Sequence, residues 1–392
     1  MSFDAELNRS LEELREQHLF RELRRVDSPQ SSHIQIGGKT LLNFSSNDYL
    51  GLASHPFLKE AAIRAIEKFG TGAGASRLVC GSLAPFHELE ESLALFKKTE
   101  AALSFSTGYA AVQGTICALL SRDDIIILDK LVHASIVDAA KLSGAKIRVF
   151  AHNDLEGLED KLKWAAAQNS PGSTRRVLVV TESIFSMDGD AAPLREITGL
   201  KDKYGAWLMV DEAHATGIFG NQGRGLAEHL GVANRIEVQM GTLGKAMGAS
   251  GGYICGSRQL IDLLVNRARS FIFSTAPVPA AAAAAAAAVQ LIQSSEGEKL
   301  RRKLHDRLNQ FLLKIKMAKA EIQSAIIPII LGGESKALDV ASKLAARNIY
   351  VPAIRYPTVA RNASRLRVTI TAGHSDDDIS GLVEALKNLD VR

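Results

Sequence analysis

The sequence predicts an α/β protein in which a mostly parallel seven-stranded sheet forms a large domain and a smaller α+β domain follows it. Three observations carry that expectation. Seven short apolar or β-branched runs, at 101–105, 125–128, 147–150, 177–181, 207–210, 238–240 and 252–255, alternate with helical periodicity. Strands separated by helices read as a sheet covered on both faces. Several of these runs end abruptly in polar residues, as at Asp211 after 207–210. Such endings mark the carboxyl ends of buried strands, where open α/β sheets hold ligands. Beyond about residue 286 the pattern changes to long charged helix and then to isolated strands and helices.

In chain order, residues 5–25 carry Leu7, Leu11, Leu14, Phe20 and Leu23 on a charged background, an amphipathic helical pattern. Its stripe needs burial on the protein's own body or on a partner subunit. Arg21, Arg24 and Arg25 close this arm, either as a solvated face or as partners for the terminal carboxylate of an acyl chain. A turn-rich stretch at 27–32 follows, and the large domain is placed at 45–285, after an arm of 1–44. The alanine tract 280–288, preceded by Pro277 and Pro279, reads as a helix start whose small side chains permit close packing. Charged helix then runs to about Ala320. A strand at 326–331, a helix at 338–348, strands at 350–351 and 366–370 and a helix at 379–389 make the domain of 286–392.

Composition narrows the function. The chain has 392 residues, 46% hydrophobic and 23% charged, with a net charge of +4. These are ordinary values for a globular protein. They give no case for nucleic acid, and a slight positive charge suits anionic substrates such as a CoA thioester. The three cysteines, Cys80, Cys117 and Cys255, are far apart and include no C-x-x-C pair, so neither a disulfide framework nor a metal site is expected. The first residues lack the order of a signal peptide, and the apolar run 280–289 is too short to span a bilayer. A cytoplasmic location is expected.

Chemistry concentrates at 239–248, where Lys245 stands among glycines between apolar runs. Burial disfavours a charged amine, which is how proteins obtain a lysine able to attack a carbonyl. Upstream stand Asp211-Glu212-Ala213-His214, Ser183-Ile184-Phe185-Ser186 and Ser104-Phe105-Ser106-Thr107-Gly108-Tyr109, each after an apolar run. Three fragments mislead. Asp211 to His214 spells the D-E-A-H of nucleic-acid-dependent ATPases, but the phosphate-cradling loop those enzymes need is missing its first glycine, at Gln239, and its hydroxyl, at Ala246. Gly248-Ala249-Ser250-Gly251-Gly252 fits G-x-S-x-G, yet a strand follows it where a helix belongs. The glycine-dense stretch 70–76 follows a helix and lacks the third glycine of a dinucleotide fingerprint.

Strand, acid, imidazole and lysine in that order resemble the pyridoxal 5′-phosphate enzymes of fold type I, the aspartate-aminotransferase-like fold. Within them the chain is similar to the α-oxoamine synthases from Asn43 to Thr371. These enzymes condense an amino acid with an acyl thioester, release carbon dioxide and form an α-amino ketone. The resemblance implies that Lys245 attaches the cofactor and moves protons at the substrate Cα. It implies that Asp211 pairs with the ring nitrogen, that His214 and Ser186 bond its phenolic oxygen, and that His133 lies against the ring and positions the acyl substrate. Gly108 and Tyr109, at a helix start, and Thr242 would serve the phosphate, with Thr275 reaching that of a neighbouring subunit. Arg367 and Asn47 would hold the amino-acid carboxylate, and Thr358 matches a substrate-contacting position, while Arg21 is the arm residue placed with the substrate. Tyr356 stands where the family usually has proline, next to the acyl site. The stretches 43–52, 241–252 and 266–277 point within the family to L-alanine and a pimeloyl thioester, on CoA or acyl carrier protein, in biotin synthesis. A homodimer with its active site between subunits is expected. The alternatives are a relative that joins glycine to acetyl-CoA and, from another class, a non-catalytic PLP-binding regulator, for whose DNA-binding segment residues 1–45 are too short.

Overall fold

The computed structural model describes residues 2–168, 175–317 and 320–391. The chain divides into two compact units: Leu52–Ser186 with Asp190–Arg301, and Met1–Gly51 with Met187–Gly189 and Arg302–Arg392.

The larger unit is built on the seven-stranded sheet. Its strands are β3 (Ala101–Phe105), β4 (Ile125–Asp129), β5 (Lys146–Phe150), β6 (Val177–Glu182), β7 (Trp207–Asp211), β8 (Val238–Thr242) and β9 (Gly252–Gly256), arranged β3-β9-β8-β7-β6-β4-β5. The pairs from β5 through β8 are all parallel, while β9 runs antiparallel to both neighbours. Ile125, Ile126, Ile127, Leu178, Val179, Leu208, Met209 and Val210 are fully buried, which is why these strands read as unbroken apolar runs. The alanine tract forms the helix Pro279–Gln293, with proline in its first turn. It packs on α2 (Pro56–Phe69) and α3 (Ala84–Lys97), where small side chains let helix axes come close.

Two further helices matter to the site. After β3 the chain enters α4 (Gly108–Leu119), and after β4 it enters α5 (Ala134–Ser143). Gly252 is fixed by packing: a Cβ there would lie 2.5 Å from the Cα of Gly108. The start of β9 and the first turn of α4 therefore meet backbone to backbone.

The smaller unit holds two three-stranded sheets. One is β1 (His33–Ile36), β2 (Lys39–Asn43) and β11 (Ile349–Tyr350); the other places β13 (Ser364–Thr369) between β10 (Ile326–Gly332) and β12 (Ala353–Ile354). Helices Phe3–Glu16, Glu334–Ala345 and Asp376–Asn388 belong to it, as does the helix Ser295–Ile315 from Arg302 on. The helix Asp376–Asn388 starts with a capping box between Ser375 and Asp378. Two sequence expectations need correction. The amphipathic helix α1 spans Phe3–Glu16 only. His18 turns left-handed and the amides of Leu19 and Phe20 both return to the Leu14 carbonyl, so Arg21, Arg24 and Arg25 lie on irregular chain. The charged helix ends at Ile315 and does not reach Ala320, and residues 318 and 319 lie outside the described residues.

Candidate active site

The carboxyl ends of β6, β7 and β8 and the starts of α4 and α5 border one cavity of about 190 Å³ in the larger unit. Lys245, Asp211, His214, His133, Thr242, Gly108 and Tyr109 all line it, together with Glu182, Ser135, Ala213 and Met240. A parallel sheet brings this about simply: each strand delivers its last residues to the same edge, so distant sequence positions meet there.

Asp211 is the last residue of β7 and is buried, and the backbone N–H of Ala213 donates to its Oδ1 at 2.8 Å. Burial raises its pKa above the ordinary carboxylate range, while the Lys245 charge and the Ala213 amide pull the other way. Lys245 sits in the turn between β8 and β9, with Nζ 2.7 Å from Nε2 of the buried His214. His133 caps α5; its Nδ1 accepts the amide of Ser135 and lies 2.8 Å from that residue's hydroxyl. Burial lowers the His133 pKa, partly offset by Asp211, so neutral imidazole is favoured.

Gly108 is the first residue of α4, whose cap Thr107 takes the Ala110 amide on its hydroxyl. The first amides of a helix lack partners within the helix, and those of Gly108 and Tyr109 belong to residues at the cavity. The Thr242 hydroxyl donates to the Gly251 carbonyl at 3.0 Å and accepts the Gly244 amide at 3.3 Å. Ser186, half-buried, stands in the turn after β6 and does not line the cavity. Thr275 is exposed on a bridge to Ser76, also away from the lining. Glu212, of the D-E-A-H stretch, forms a fully buried ion pair with Lys97 and accepts the Ala227 amide at 2.9 Å, a structural duty.

In the smaller unit Arg367 is buried on β13, with Nη1 donating to the Thr369 hydroxyl at 2.9 Å and Nη2 to the Tyr49 hydroxyl at 3.4 Å. Tyr49 in turn donates to Oδ1 of Asn47 at 3.3 Å. Asn47 and Arg367 are thus linked through a fully buried tyrosine that sequence reasoning passed over. Arg365, on the same strand, bonds Asp188 at 2.6 Å. Arg21 donates to the Tyr356 carbonyl at 2.8 Å and borders a cavity of about 710 Å³ with Arg24 and Arg355. Thr358 is exposed, its amide held by the Arg355 carbonyl at 3.0 Å. Glu182 is the other residue missed. Its signal was present but weaker than that of Asp211, since it closes a strand run after polar Thr181.

With this geometry in hand, comparison with known proteins gives the class. The chain belongs to the aminotransferase class I and II family, whose model matches residues 39–386. Among its relatives is an 8-amino-7-oxononanoate synthase of Geotalea daltonii, 47% identical over 382 residues that cover 97% of this chain and 96% of the relative. Among solved structures, serine palmitoyltransferase from S. paucimobilis with a bound PLP–myriocin aldimine superposes with a TM-score of 0.90 at 28% identity, covering 99% of this chain and 98% of that one. An 8-amino-7-oxononanoate synthase from Francisella tularensis gives a TM-score of 0.73 at 27% identity, covering 89% and 98%. The shared architecture is that of PLP-dependent fold type I. Among the described residues no helix is long and apolar enough to cross a membrane, and no cluster of side chains is arranged to hold a metal.

Proposed function

We infer that this chain catalyses the 8-amino-7-oxononanoate synthase reaction of biotin synthesis with pyridoxal 5′-phosphate as cofactor, acting as a homodimer on L-alanine and a pimeloyl thioester of CoA or acyl carrier protein. The observation that carries the reading is that Lys245, Asp211, His214 and His133 share one cavity, in a chain nearly half identical to a relative of that name along almost its whole length. The fold likeness to serine palmitoyltransferase is higher by TM-score. Backbone likeness reports the scaffold, however, and identity along the whole chain is the better guide to the reaction.

The cavity fits the cofactor by its donor set. It offers an amine, a buried carboxylate, two imidazoles and the first amides of α4, and Gly108 packs closely enough that a Cβ there would lie 3.1 Å from the Met240 methyl group. When bound, the cofactor supplies an aldehyde that joins amines and an electron-withdrawing ring. Lys245 would hold it through its amine, and the Nζ of Lys245 would move the proton at the Cα of alanine. His214, at hydrogen-bond distance, orients that nitrogen. Asp211 is the counter-charge for a protonated ring nitrogen; at an effective dielectric of 20 a close pair is worth about 4 kcal/mol. Gly108, Tyr109 and Thr242 would hold the phosphate, with Thr275 of the partner subunit assisting. His214, and Ser186 from just outside the lining, would serve the phenolic oxygen, and His133 would position the acyl group.

Arg367, steadied by Thr369 and Tyr49, takes the carboxylate of alanine with Asn47, while Arg21 and Thr358 contact the acyl substrate. The bond formed joins the alanine Cα to the thioester carbonyl carbon, and the thiol leaves. The bond from Cα to the carboxylate then breaks as carbon dioxide departs, and a proton returns to Cα. Domains of 1–44, 45–285 and 286–392 and a cytoplasmic location belong to the same reading. The test is thiol release measured for alanine, glycine and serine against acyl thioesters of several lengths. Alanine with the pimeloyl thioester is expected to be preferred at least tenfold in kcat/KM, about 1.4 kcal/mol. A preference for glycine with acetyl-CoA, or for serine with a long acyl chain, would overturn the substrate assignment.

A further inference from the structure

Glu182 has no part in the roles above, yet it is the most enclosed acid on the cavity wall. It ends β6 opposite Asp211, its register partner across the β6–β7 pair. Parallel neighbours lie about 4.8 Å apart and partners in register project to one face. Glu182 and Asp211 are 2% and 6% exposed, and both line the cavity with Lys245. The Oε1 atom of Glu182 is buried with no hydrogen-bond partner among the described residues, while the backbone amides of His133 and Ser186 serve the carboxyl group.

Two carboxylates enclosed side by side do not both ionise; one proton stays with the pair. An ionised Glu182 would leave a charged oxygen orphaned in the interior, whereas a protonated one carries an O–H that can donate toward its neighbour. Burial and the Asp211 charge both push Glu182 well above the ordinary carboxylate range, with Lys245 and the two amides opposing. The groups facing it are Asp211 from β7, Lys245 from the turn after β8, and the backbone of His133 and Ser186 from the segments leading into α5 and out of β6, with the imidazoles of His133 and His214 on the same cavity wall.

We propose that Glu182 is a neutral, proton-bearing positioning residue: it keeps Asp211 the single charged carboxylate of the pair and ties the turns that carry His133 and Ser186 to that charge. The first half stands on the protein alone; the second, that this charge faces a cofactor ring, rests on the function inferred above.

The experiment has two arms. In cofactor-free protein, the infrared difference between wild type and Glu182→Gln near neutral pH should contain the carbonyl stretch of a protonated carboxyl group, moving on exchange into D₂O. Loss of an ionised carboxylate band in its place overturns the proposal. In cofactor-loaded protein, the pH midpoint of the visible absorption of the Lys245-bound cofactor is read for wild type, Glu182→Gln and Glu182→Leu. The amide mimics the neutral acid and should hold the wild-type midpoint. The leucine abandons two amides and should move it and weaken cofactor binding about tenfold or more, the scale of a lost buried acceptor. A glutamine variant that shifts as the leucine variant does overturns the proposal. Thermal unfolding of both variants separates misfolding from these effects. Protein that binds no PLP but shows the infrared band refutes the cofactor reading and leaves the neutral acid standing.

Discussion

The cavity of the larger unit and the arginine-bearing regions of the smaller one are made in different ways. In the first, three parallel strand ends and two helix starts converge, and its acids and imidazoles are enclosed at the edge of the sheet. In the second, Arg367 stands on a central strand, but Arg21, Thr358 and Tyr356 lie on irregular chain whose contacts are to backbone carbonyls and amides. Chemistry common to a family needs atoms held within fractions of an ångström. Choice among substrates is better placed on segments that tolerate change. The two regions should therefore respond differently to substitution.

The sharpest contrast is expected at Lys245. Lys245→Ala should lower the rate of thiol release by roughly 10⁴-fold, the upper range for loss of a positioned acid–base group; a rate near wild type would remove Lys245 from the chemistry. Asp211→Asn should depress kcat by up to about a thousandfold, as expected from about 4 kcal/mol expressed in the transition state, with the KM for alanine little changed. A change confined to KM would make Asp211 a binding residue and erase the contrast.

A stability measurement sharpens the picture of the smaller unit. His374, fully buried and stacked on Phe44, donates from Nε2 to the Asn43 carbonyl at 3.0 Å, and its Nδ1 accepts the Thr371 amide. Burial pushes its pKa from 6.5 down to about 4. The unfolded chain thus takes up the proton first as pH falls. The contribution is fully present above pH 6.5 and is lost on the way down to about pH 4, a loss of about 3 kcal/mol. Urea unfolding at several pH values should show this slope in wild type and a flatter one in His374→Gln; equal slopes would contradict it. The smallest effect is expected at Arg367. Arg367→Ala should raise the KM for alanine roughly ten- to a hundredfold, the scale of charge-assisted hydrogen bonds, and leave kcat nearly intact. A large fall in kcat with unchanged KM would place Arg367 with the chemistry instead.

The difference between the regions also governs what the sequence revealed. The seven strands were legible because strands buried on both faces write themselves as apolar runs, and Asp211 and Lys245 because polar residues interrupt those runs. Glu182 gives the same signal but follows Thr181, also polar, so the break is less abrupt. Tyr49 was passed over because its link between Asn47 and Arg367 joins residues more than 300 positions apart. The end of α1 was misread because its apolar spacing continues through Phe20 and Leu23, while the helix ends at Glu16 and the chain turns left-handed at His18. Glu212 was a decoy whose duty, pairing with buried Lys97, depends on a helix more than a hundred residues away.

The most direct measurement is peptide mapping after borohydride reduction of protein loaded with pyridoxal 5′-phosphate. One label per chain on Lys245, absent from Lys245→Ala, is the expected result. A label on another lysine, or none at all, would contradict the assignment of this cavity.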